Sequence, residues 1–416
     1  MAKLSAPKGT KDILPQESYQ WQYVESVLKQ IALDFNFKEL RTPTFESTEV
    51  FARGVGDTTD VVTKEMYTFL DKGGRSVTLR PEGTAGIARS FVEHGLYAGV
   101  LPLKLYYLIS CFRYEKPQAG RLREFHQFGI EMLGTTSPLA DAEAILFGNE
   151  IFKRLNIENI TLNLNNIGCK ECRKAYNDSL KAYLEDKKDS LCETCQERLL
   201  KNPMRIFDCK SEICQDLLKD APTIFDSVCD DCKNHFAQVT DVLDNVGVAY
   251  QIDKGIVRGL DYYSKTVFEF VSQNIGAQGT VLGGGRYDGL IADLGGNDAP
   301  GIGFAMGLER LLLLAGDSLP AEDAVPKAFF ISIGDQAKKA VLKLVYALRE
   351  QGISAEFDLN SRSVKAQMKY ADKIGAEYTV VVGDDEIANN QYPLKNMKTG
   401  ETTLVSPETI TQALLG

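Results

Sequence analysis

The chain has 416 residues, 44% of them apolar and 25% charged, and a net charge of −10 from 47 basic and 57 acidic side chains. This is ordinary globular composition at a length that suits two or three domains, and it excludes a disordered chain, a collagen and a disulfide-stapled miniprotein. An acidic chain is a poor non-specific polyanion binder, so any nucleic-acid contact must use a local basic face. The longest apolar stretch, Ala98 to Phe112, is interrupted by Lys104 and Ser110 and is too short and too polar to span a bilayer. The N-terminus, MAKLSAPKGTKD, lacks an apolar signal core, which argues against export and for a cytoplasmic protein.

Val24, Val27, Leu28, Ile31 and Phe35 fall on one face of a 3.6-residue period and predict an opening helix. Pro43 then marks an extended segment, KELRTPTFE. KLYYLISCFRYE and RLREFHQFGIE, joined by KPQAG, predict an antiparallel hairpin. Period-two alternation puts Arg113, Glu115, Arg121, Arg123, Phe125, Gln127 and Glu131 on one face. Leu108, Phe112, Leu122, His126, Phe128 and Ile130 take the other. A merely solvated face would more often carry Lys and Thr, so the arginine and carboxylate face points to function. Residues 169–246 are Cys-rich, charged and helical in composition, and read as an insertion within a larger domain. Strand-like segments return in VRGLDYYSKTVFEFV and GTVLGGGRYDG, and GIGFAMGLERLLLL reads as a glycine-rich strand running into an apolar helix. LPAEDAVP, residues 319–326, reads as a linker. Beyond it AFFISIG, DQAKKAVLKLVYALREQG, ISAEFD, SRSVKAQMKYADKIG and YTVVVGD alternate strand and helix, which predicts a small α/β domain with a parallel sheet. Its second helix is expected to be capped by Ser361 and Gly375 and to carry a basic stripe of Arg362, Lys365, Lys369 and Lys373.

GIGFAMG has the wrong spacing for a dinucleotide loop, and no GxxxxGK[ST] phosphate loop occurs. A nucleotide's phosphates would therefore have to meet arginines, whose planar fork pairs oxygens bidentately; Arg113, Arg121, Arg123, Arg258 and Arg310 are the candidates. No Ser/His/Asp hydrolase signature is present, and His94, His126 and His235 read as structural. Of nine cysteines only Cys111 stands apart; the other eight lie between Cys169 and Cys232. Cys169, Cys172, Cys192 and Cys195 have zinc-site spacing, and Cys209, Cys214, Cys229 and Cys232 offer a second set. The alternative is that they are buried small apolar side chains.

FRYEKPQAGRLREFHQFGIE and GIGFAMGLERL resemble motifs 2 and 3 of the class II aminoacyl-tRNA synthetases, and TPTFE resembles motif 1. TLRPEGT (Thr78–Thr84), RGLDYY (Arg258–Tyr263) and GGGRYDGL (Gly283–Leu290) resemble signatures of the histidyl-tRNA synthetase family. The resemblance covers the whole chain. It implies an α+β fold: an antiparallel class II sheet flanked by helices, a helical insertion and a C-terminal α/β anticodon-binding domain. The implied divisions are a catalytic domain in two parts, 1–168 and 247–318, an insertion at 169–246 and an anticodon-binding domain at 327–416. The implied activity is histidine–tRNA ligation with ATP and Mg²⁺, by a homodimer acting on L-histidine and tRNA(His), with no membrane role. Arg258 and Arg113 would be catalytic, on either side of the α-phosphate. Glu82, Gly83, Thr84, Arg113, Gln127, Glu131, Arg258, Tyr262 and Tyr263 would hold histidine. Arg113, Glu115, Arg121, Phe125 and Arg310 would hold ATP. Zinc is not part of the family's shared mechanism, so Zn²⁺ in the insertion rests on the cysteine spacing alone. Two relatives in fold are weighed against this. The regulatory subunit of ATP phosphoribosyltransferase typically lacks the C-terminal domain and loses active-site residues. The threonyl and prolyl enzymes do not fit RGLDYY.

Overall fold

The protein is described by a computed structural model over residues 3–57, 59–275, 279–320 and 325–415. The chain divides into two units, Met1–Pro320 and Ala321–Gly416. Part of the expected linker, residues 321–324, lies outside the described residues.

The strands of the first unit are β1 (Lys38–Glu39), β2 (Phe45–Ser47), β3 (Tyr67–Leu70), β4 (Ser76–Leu79), β5 (Leu103–Phe112), β6 (Glu124–Leu133), β7 (Ile160–Asn166), β8 (Gln251–Ile252), β9 (Ser264–Ser272), β10 (Thr280–Tyr287) and β11 (Gly301–Gly307). Eight of them form one sheet in the order β1-β5-β6-β11-β10-β9-β7-β8. The run from β5 to β7 is antiparallel throughout. Two-residue strands, β1 and β8, close the edges by parallel pairing. β2, β4 and β3 make a separate three-stranded sheet.

One face of the large sheet is apolar. Phe128, Ile130 and Met132 of β6 and Ile302, Phe304 and Met306 of β11 pack there with Phe147 of the helix Pro138–Arg154 and with Val24, Leu28 and Ile31 of the helix Pro15–Asp34. The predicted opening helix is thus present, with its apolar stripe buried. Within β6 the expected alternation holds, but for most of the arginine face it does not. The strands stop at Phe112 and resume at Glu124, so Arg113, Glu115, Arg121 and Arg123 lie in a loop and not on a strand face. Pro117 cannot donate to a ladder, and Gly120 turns back at φ +69°. The loop is closed by the Arg113 N–H donating to the Arg123 carbonyl at 2.8 Å, and it is tied to the N-terminal segment where the Arg123 N–H meets the Gly9 carbonyl at 2.7 Å. RGLDYY likewise precedes the strand: β9 begins at Ser264, and Arg258 sits at φ +62°, a left-handed conformation that costs a non-glycine residue energy.

Between β7 and β8 run the helices Lys170–Leu184, Glu193–Lys201, Glu212–Leu218 and Asp230–Val246. The last of them meets the core through a buried polar cluster. Asp141, fully buried, accepts from Arg286 Nε at 3.1 Å and from Arg286 Nη2, and it lies 3.2 Å from His235 Nε2. His235 is therefore structural, as expected. His126 lies 3.0 Å from Glu309 through Nδ1, with Trp21 packed edge-on against its ring.

In the second unit β12 (Ala328–Ser332), β13 (Ala355–Phe357), β14 (Tyr378–Val382), β15 (Tyr392–Asn396) and β16 (Thr402–Val405) form a sheet in the order β13-β12-β14-β15-β16. The three strands expected from sequence are parallel, but β15 and β16 add antiparallel, so the sheet is mixed. The second helix starts later than expected, at Val364, with Ser363 as its N-cap and Ser361 in a left-handed turn before it. Its C-cap is Ile374, with Gly375 following at φ +69°. Arg362 leaves the basic stripe because Asp358 holds both its backbone N–H, at 2.6 Å, and its guanidinium, at 2.5 Å. Lys365, Lys369 and Lys373 remain exposed.

Removing one member of a buried charged pair strands the other without water. Asp141→Ala is accordingly expected to lower the unfolding free energy by about 3–5 kcal/mol in a denaturant titration. A change within about 1 kcal/mol would put the pair on a par with an exposed one.

Candidate active site

Opposite the apolar face, β10 and β11 present almost no side chains: Gly283 and Gly285 on one strand, Gly301, Gly303, Ala305 and Gly307 on the other. That bare floor leaves room for long side chains that arrive from loops. Arg113, Glu115, Arg121, Phe125, Gln127, Arg258, Glu269, Thr280, Glu309 and Arg310 surround a cavity of about 550 Å³ above it. All five predicted ATP residues are among them.

Each arginine is aimed by a specific contact. Arg113 Nε donates to the Pro81 carbonyl at 2.8 Å, and its guanidinium lies over the Phe125 ring at 5.3 Å. Arg121 Nη1 bonds Glu115 Oε2 at 3.0 Å. Arg310 Nη1 donates to the Thr280 carbonyl at 2.5 Å. Burial and the neighbouring Arg121 guanidinium both push the pKa of Arg310 down, as expected where two cations share a space without a polyanion between them. Arg258 pairs with Glu269 Oε1, and Thr280 Oγ1 holds the other oxygen of Glu269 at 2.7 Å. A Cβ on Gly283 would overlap the Arg258 guanidinium.

The predicted histidine residues form a second, more enclosed group. Gln127 joins the two, lining the cavity and accepting the Gly83 N–H at 2.9 Å. Glu82 accepts from the N–H groups of Thr84 and Ala85 at 2.8 and 2.7 Å, at the first turn of the helix Thr84–Glu93. Glu131 accepts from Thr84 Oγ1 at 2.6 Å and Tyr287 OH at 2.5 Å, with Tyr107 OH at 3.4 Å. The Tyr262 and Tyr263 rings meet at a 48° tilt with centroids 4.6 Å apart, and Arg258 lies 5.6 Å from the Tyr263 ring. Glu82, Gly83, Thr84, Glu131, Tyr262 and Tyr263 do not line the 550 Å³ cavity.

Burial dominates the acid–base behaviour of this group. It raises the Glu82 carboxyl above its ordinary value and lifts Glu131 to about 8, against the hydroxyls that favour its charged form.

Sequence reasoning missed Glu269, Thr280, Tyr107, Tyr287 and Glu309. Glu269 left a signal: it is a carboxylate set in the apolar run VFEFV, between Phe268 and Phe270. The cysteine grouping expected from spacing is corrected by the fold. The two clusters are Cys169, Cys172, Cys229 and Cys232, and Cys192, Cys195, Cys209 and Cys214. Sequence order misleads because the first and last helices of the insertion start side by side, while the middle pairs face each other.

An antiparallel sheet with arginines converging on its bare face, reached from a strand-connecting loop and from a glycine strand that runs into a helix, defines a class II aminoacyl-tRNA synthetase. The family model "Histidyl-tRNA synthetase" matches residues 9–311, and "Anticodon binding domain" matches residues 327–415. The histidine–tRNA ligase of Acetivibrio thermocellus is 56% identical over 412 residues, covering 98% of this chain and 99% of that one. That of Clostridioides difficile is 52% identical over 412 residues, covering 98% of each. The apo S. aureus histidyl-tRNA synthetase structure superposes with a TM-score of 0.85 at 39% identity, over the full length of both chains. An ATP phosphoribosyltransferase regulatory subunit/histidyl-tRNA synthetase from Bacillus halodurans shares the fold at a TM-score of 0.66 and 19% identity. The chain belongs to the histidyl-tRNA synthetase family, and the activity that goes with this membership is histidine–tRNA ligation.

The raised Glu131 pKa sets a sign for stability. Between pH 4.5 and about 8 the unfolded chain has released this proton while the folded chain keeps it, so the residue's contribution to stability falls as pH rises through that window. Glu131→Gln is expected to flatten this decline in denaturation midpoints measured at intervals across the window. An unchanged pH slope would mean that Glu131 ionises as freely in the folded protein as in the unfolded one.

Proposed function

We propose that this chain activates L-histidine with ATP and transfers the histidyl group to tRNA(His), with the arginine-lined cavity as the adenylation site. The observation that carries the reading is the convergence of Arg113, Arg121, Arg258 and Arg310 on one cavity. In the first step a histidine carboxylate oxygen bonds to the α-phosphorus, the bond to the β-phosphate oxygen breaks, and pyrophosphate leaves. Arg113 and Arg258 flank that phosphorus and hold the charge that accumulates in the pentavalent state; such fixed donors need no reorganisation during the reaction. Arg121 and Arg310 hold the β- and γ-phosphates. Phe125 and Arg310 sandwich the adenine, with Glu115 near its amino group. Mg²⁺ would offset part of the triphosphate's charge, and the carboxylates of Glu115, Glu269 and Glu309 on the cavity wall would offer it hard oxygen donors.

On the substrate side Glu82, Gly83, Thr84 and Gln127 receive the amino group and carboxylate. Glu131 and Tyr263 meet the two imidazole nitrogens, with Tyr262 lining the pocket. In the free protein Glu131 is held by three hydroxyls, so histidine entry exchanges one set of hydrogen bonds for another. A wrong side chain would leave those groups unpaired, which supports discrimination on the order of 10⁴–10⁵ without an editing domain.

In the second step the 3′-terminal adenosine takes the histidyl group. Gln118 in the loop after β5 is positioned for the acceptor end, and Lys365, Lys369 and Lys373 offer the second unit's basic face to the anticodon side. The division into catalytic halves 1–168 and 247–318, insertion 169–246 and anticodon-binding domain 327–416 follows the same reading. A homodimer is supported by exposed Phe45, Phe69 and Leu70 on the small sheet next to the motif 1 segment. Among the described residues no helix is long and apolar enough to cross a membrane, and all nine cysteines are free thiols, which agrees with a reducing cytoplasm. For Zn²⁺ the chain offers ligands in its cysteine clusters.

ATP–pyrophosphate exchange is expected with histidine and with none of the other amino acids. Arg258→Ala should reduce that exchange by about 10²–10³-fold while leaving the fold and oligomeric mass unchanged. Near-normal exchange by that variant would remove Arg258 from the reaction, and wild-type exchange with no amino acid would favour a regulatory role.

A further inference from the structure

The insertion holds eight thiols that the adenylation chemistry does not use. They converge as two separate sets of four, and within each set the ligand sulfurs lie within 4.8 Å of one another. Cys169 Sγ and Cys172 Sγ are 3.5 Å apart, and Cys192 Sγ and Cys209 Sγ are 3.7 Å apart. A disulfide would need about 2.0 Å. Four sulfurs at about 2.3 Å from a tetrahedral Zn²⁺ lie about 3.8 Å from each other, close to these two separations and inside the 4.8 Å that bounds each set.

The backbone around both sets is arranged as it is around metal-bound sulfur. Cys169 and Cys229 are the N-caps of the helices Lys170–Leu184 and Asp230–Val246, with Cys172 and Cys232 in their first turns. Two helix N-termini therefore meet at the first set and place their partial positive charge on it. Cys192 is the N-cap of the helix Glu193–Lys201, with Cys195 in its first turn. Backbone N–H groups donate to sulfur: Cys229 to Cys172 at 3.1 Å, Cys192 to Cys214 at 3.4 Å and Ser211 to Cys209 at 3.4 Å. Such bonds orient and stabilise metal-bound thiolates. Cys172, Cys195, Cys214 and Cys232 are buried, Cys169, Cys192 and Cys209 are half-buried and Cys229 is exposed; each set supplies the four protein ligands that fill the tetrahedral shell of a structural zinc.

Each set also reaches the loop that carries Arg258. Arg173, next to Cys172, donates through Nη1 to the Asp261 carbonyl at 3.2 Å. Asn202 and Arg205 lie between Cys195 and Cys209. Asn202 Nδ2 meets Asp261 Oδ1 at 3.1 Å, and Arg205 Nη2 meets the Gly259 carbonyl at 3.0 Å. The left-handed backbone at Arg258 needs such over-determination to persist.

We propose that the insertion binds two structural Zn²⁺ ions, one at Cys169, Cys172, Cys229 and Cys232 and one at Cys192, Cys195, Cys209 and Cys214, and that the metal-loaded insertion braces the loop 258–263. The bracing acquires catalytic meaning through the role of Arg258 given above, whereas the metal content stands apart from it.

Full-length protein purified under reducing conditions is expected to hold two zinc ions per chain by elemental analysis. Replacement by Co²⁺ should give the ligand-to-metal charge-transfer and d–d bands of a tetrahedral tetrathiolate site. Cys169→Ser with Cys172→Ser should lose one ion and keep the other, and Cys192→Ser with Cys195→Ser should do the same. One ion or none in the wild-type chain, iron in place of zinc, or loss of both ions from either double variant overturns the two-site assignment. Because the serine variants can fail to fold, the wild-type zinc content and cobalt spectrum decide the matter without them. Chelation of the wild-type protein should raise amide hydrogen exchange across residues 256–263 while β5 and β6 stay protected. Unchanged exchange there overturns the bracing, and it does so whether or not Arg258 proves catalytic.

Discussion

The Arg258 guanidinium is held over the sheet by one carboxylate, Glu269, and by the side chain that Gly283 lacks. Glu269 and Gly283 face each other across β9 and β10, so the acid that aims the arginine and the space it occupies come from one ladder rung. Thr280 fixes the second oxygen of that acid from the start of β10. A buried charge without such partners would be prohibitively unfavourable. The remaining arginines follow the same logic: the Pro81 carbonyl holds Arg113, Glu115 holds Arg121 and the Thr280 carbonyl holds Arg310, and all three line the cavity. The bare strands below them make this possible, because a sheet with ordinary side chains would fill the volume that a triphosphate needs.

The proposed nucleotide side and the proposed amino-acid side are built on opposite electrostatic terms. Around the cavity, burial and the Arg121 guanidinium both disfavour the charge of Arg310, a setting that an anion would relieve. Around Glu131, burial holds a carboxyl near neutrality against the hydroxyls that favour its charge. Gln127 belongs to both groups, which keeps the two in register.

Much of this was legible in the chain. The helix face of Val24, Leu28 and Ile31, the alternation of Gln127 against Phe128, and the glycine strand running into a helix at Leu308 all follow from periodicity. The residues expected to hold ATP do share one cavity. What was not legible depended on tertiary pairing. Pro117 and Gly120 lengthened the loop and took Arg113 and Arg121 off the strand faces. Asp358 drew Arg362 out of the basic stripe. The cysteines regrouped because helices distant in sequence begin at the same place. Glu269 and Tyr287 act through partners brought in from a loop and from other strands, and no local pattern names those partners.

The strand order also bears on how the chain is made. β6 pairs with β5 almost at once, but its other neighbour, β11, is synthesised only after β7, the whole insertion, β9 and β10. At translation rates of roughly 5–20 residues per second, the growing sheet carries an open edge on the order of ten to thirty seconds. The ribosome-bound intermediate thus shows neighbouring polypeptides a long unpaired strand with one greasy side, the kind of surface that holdase chaperones cover. Assembly of the catalytic half is governed by the arrival of its last strand, and crowding of polysomes on this message is a hazard written into the topology.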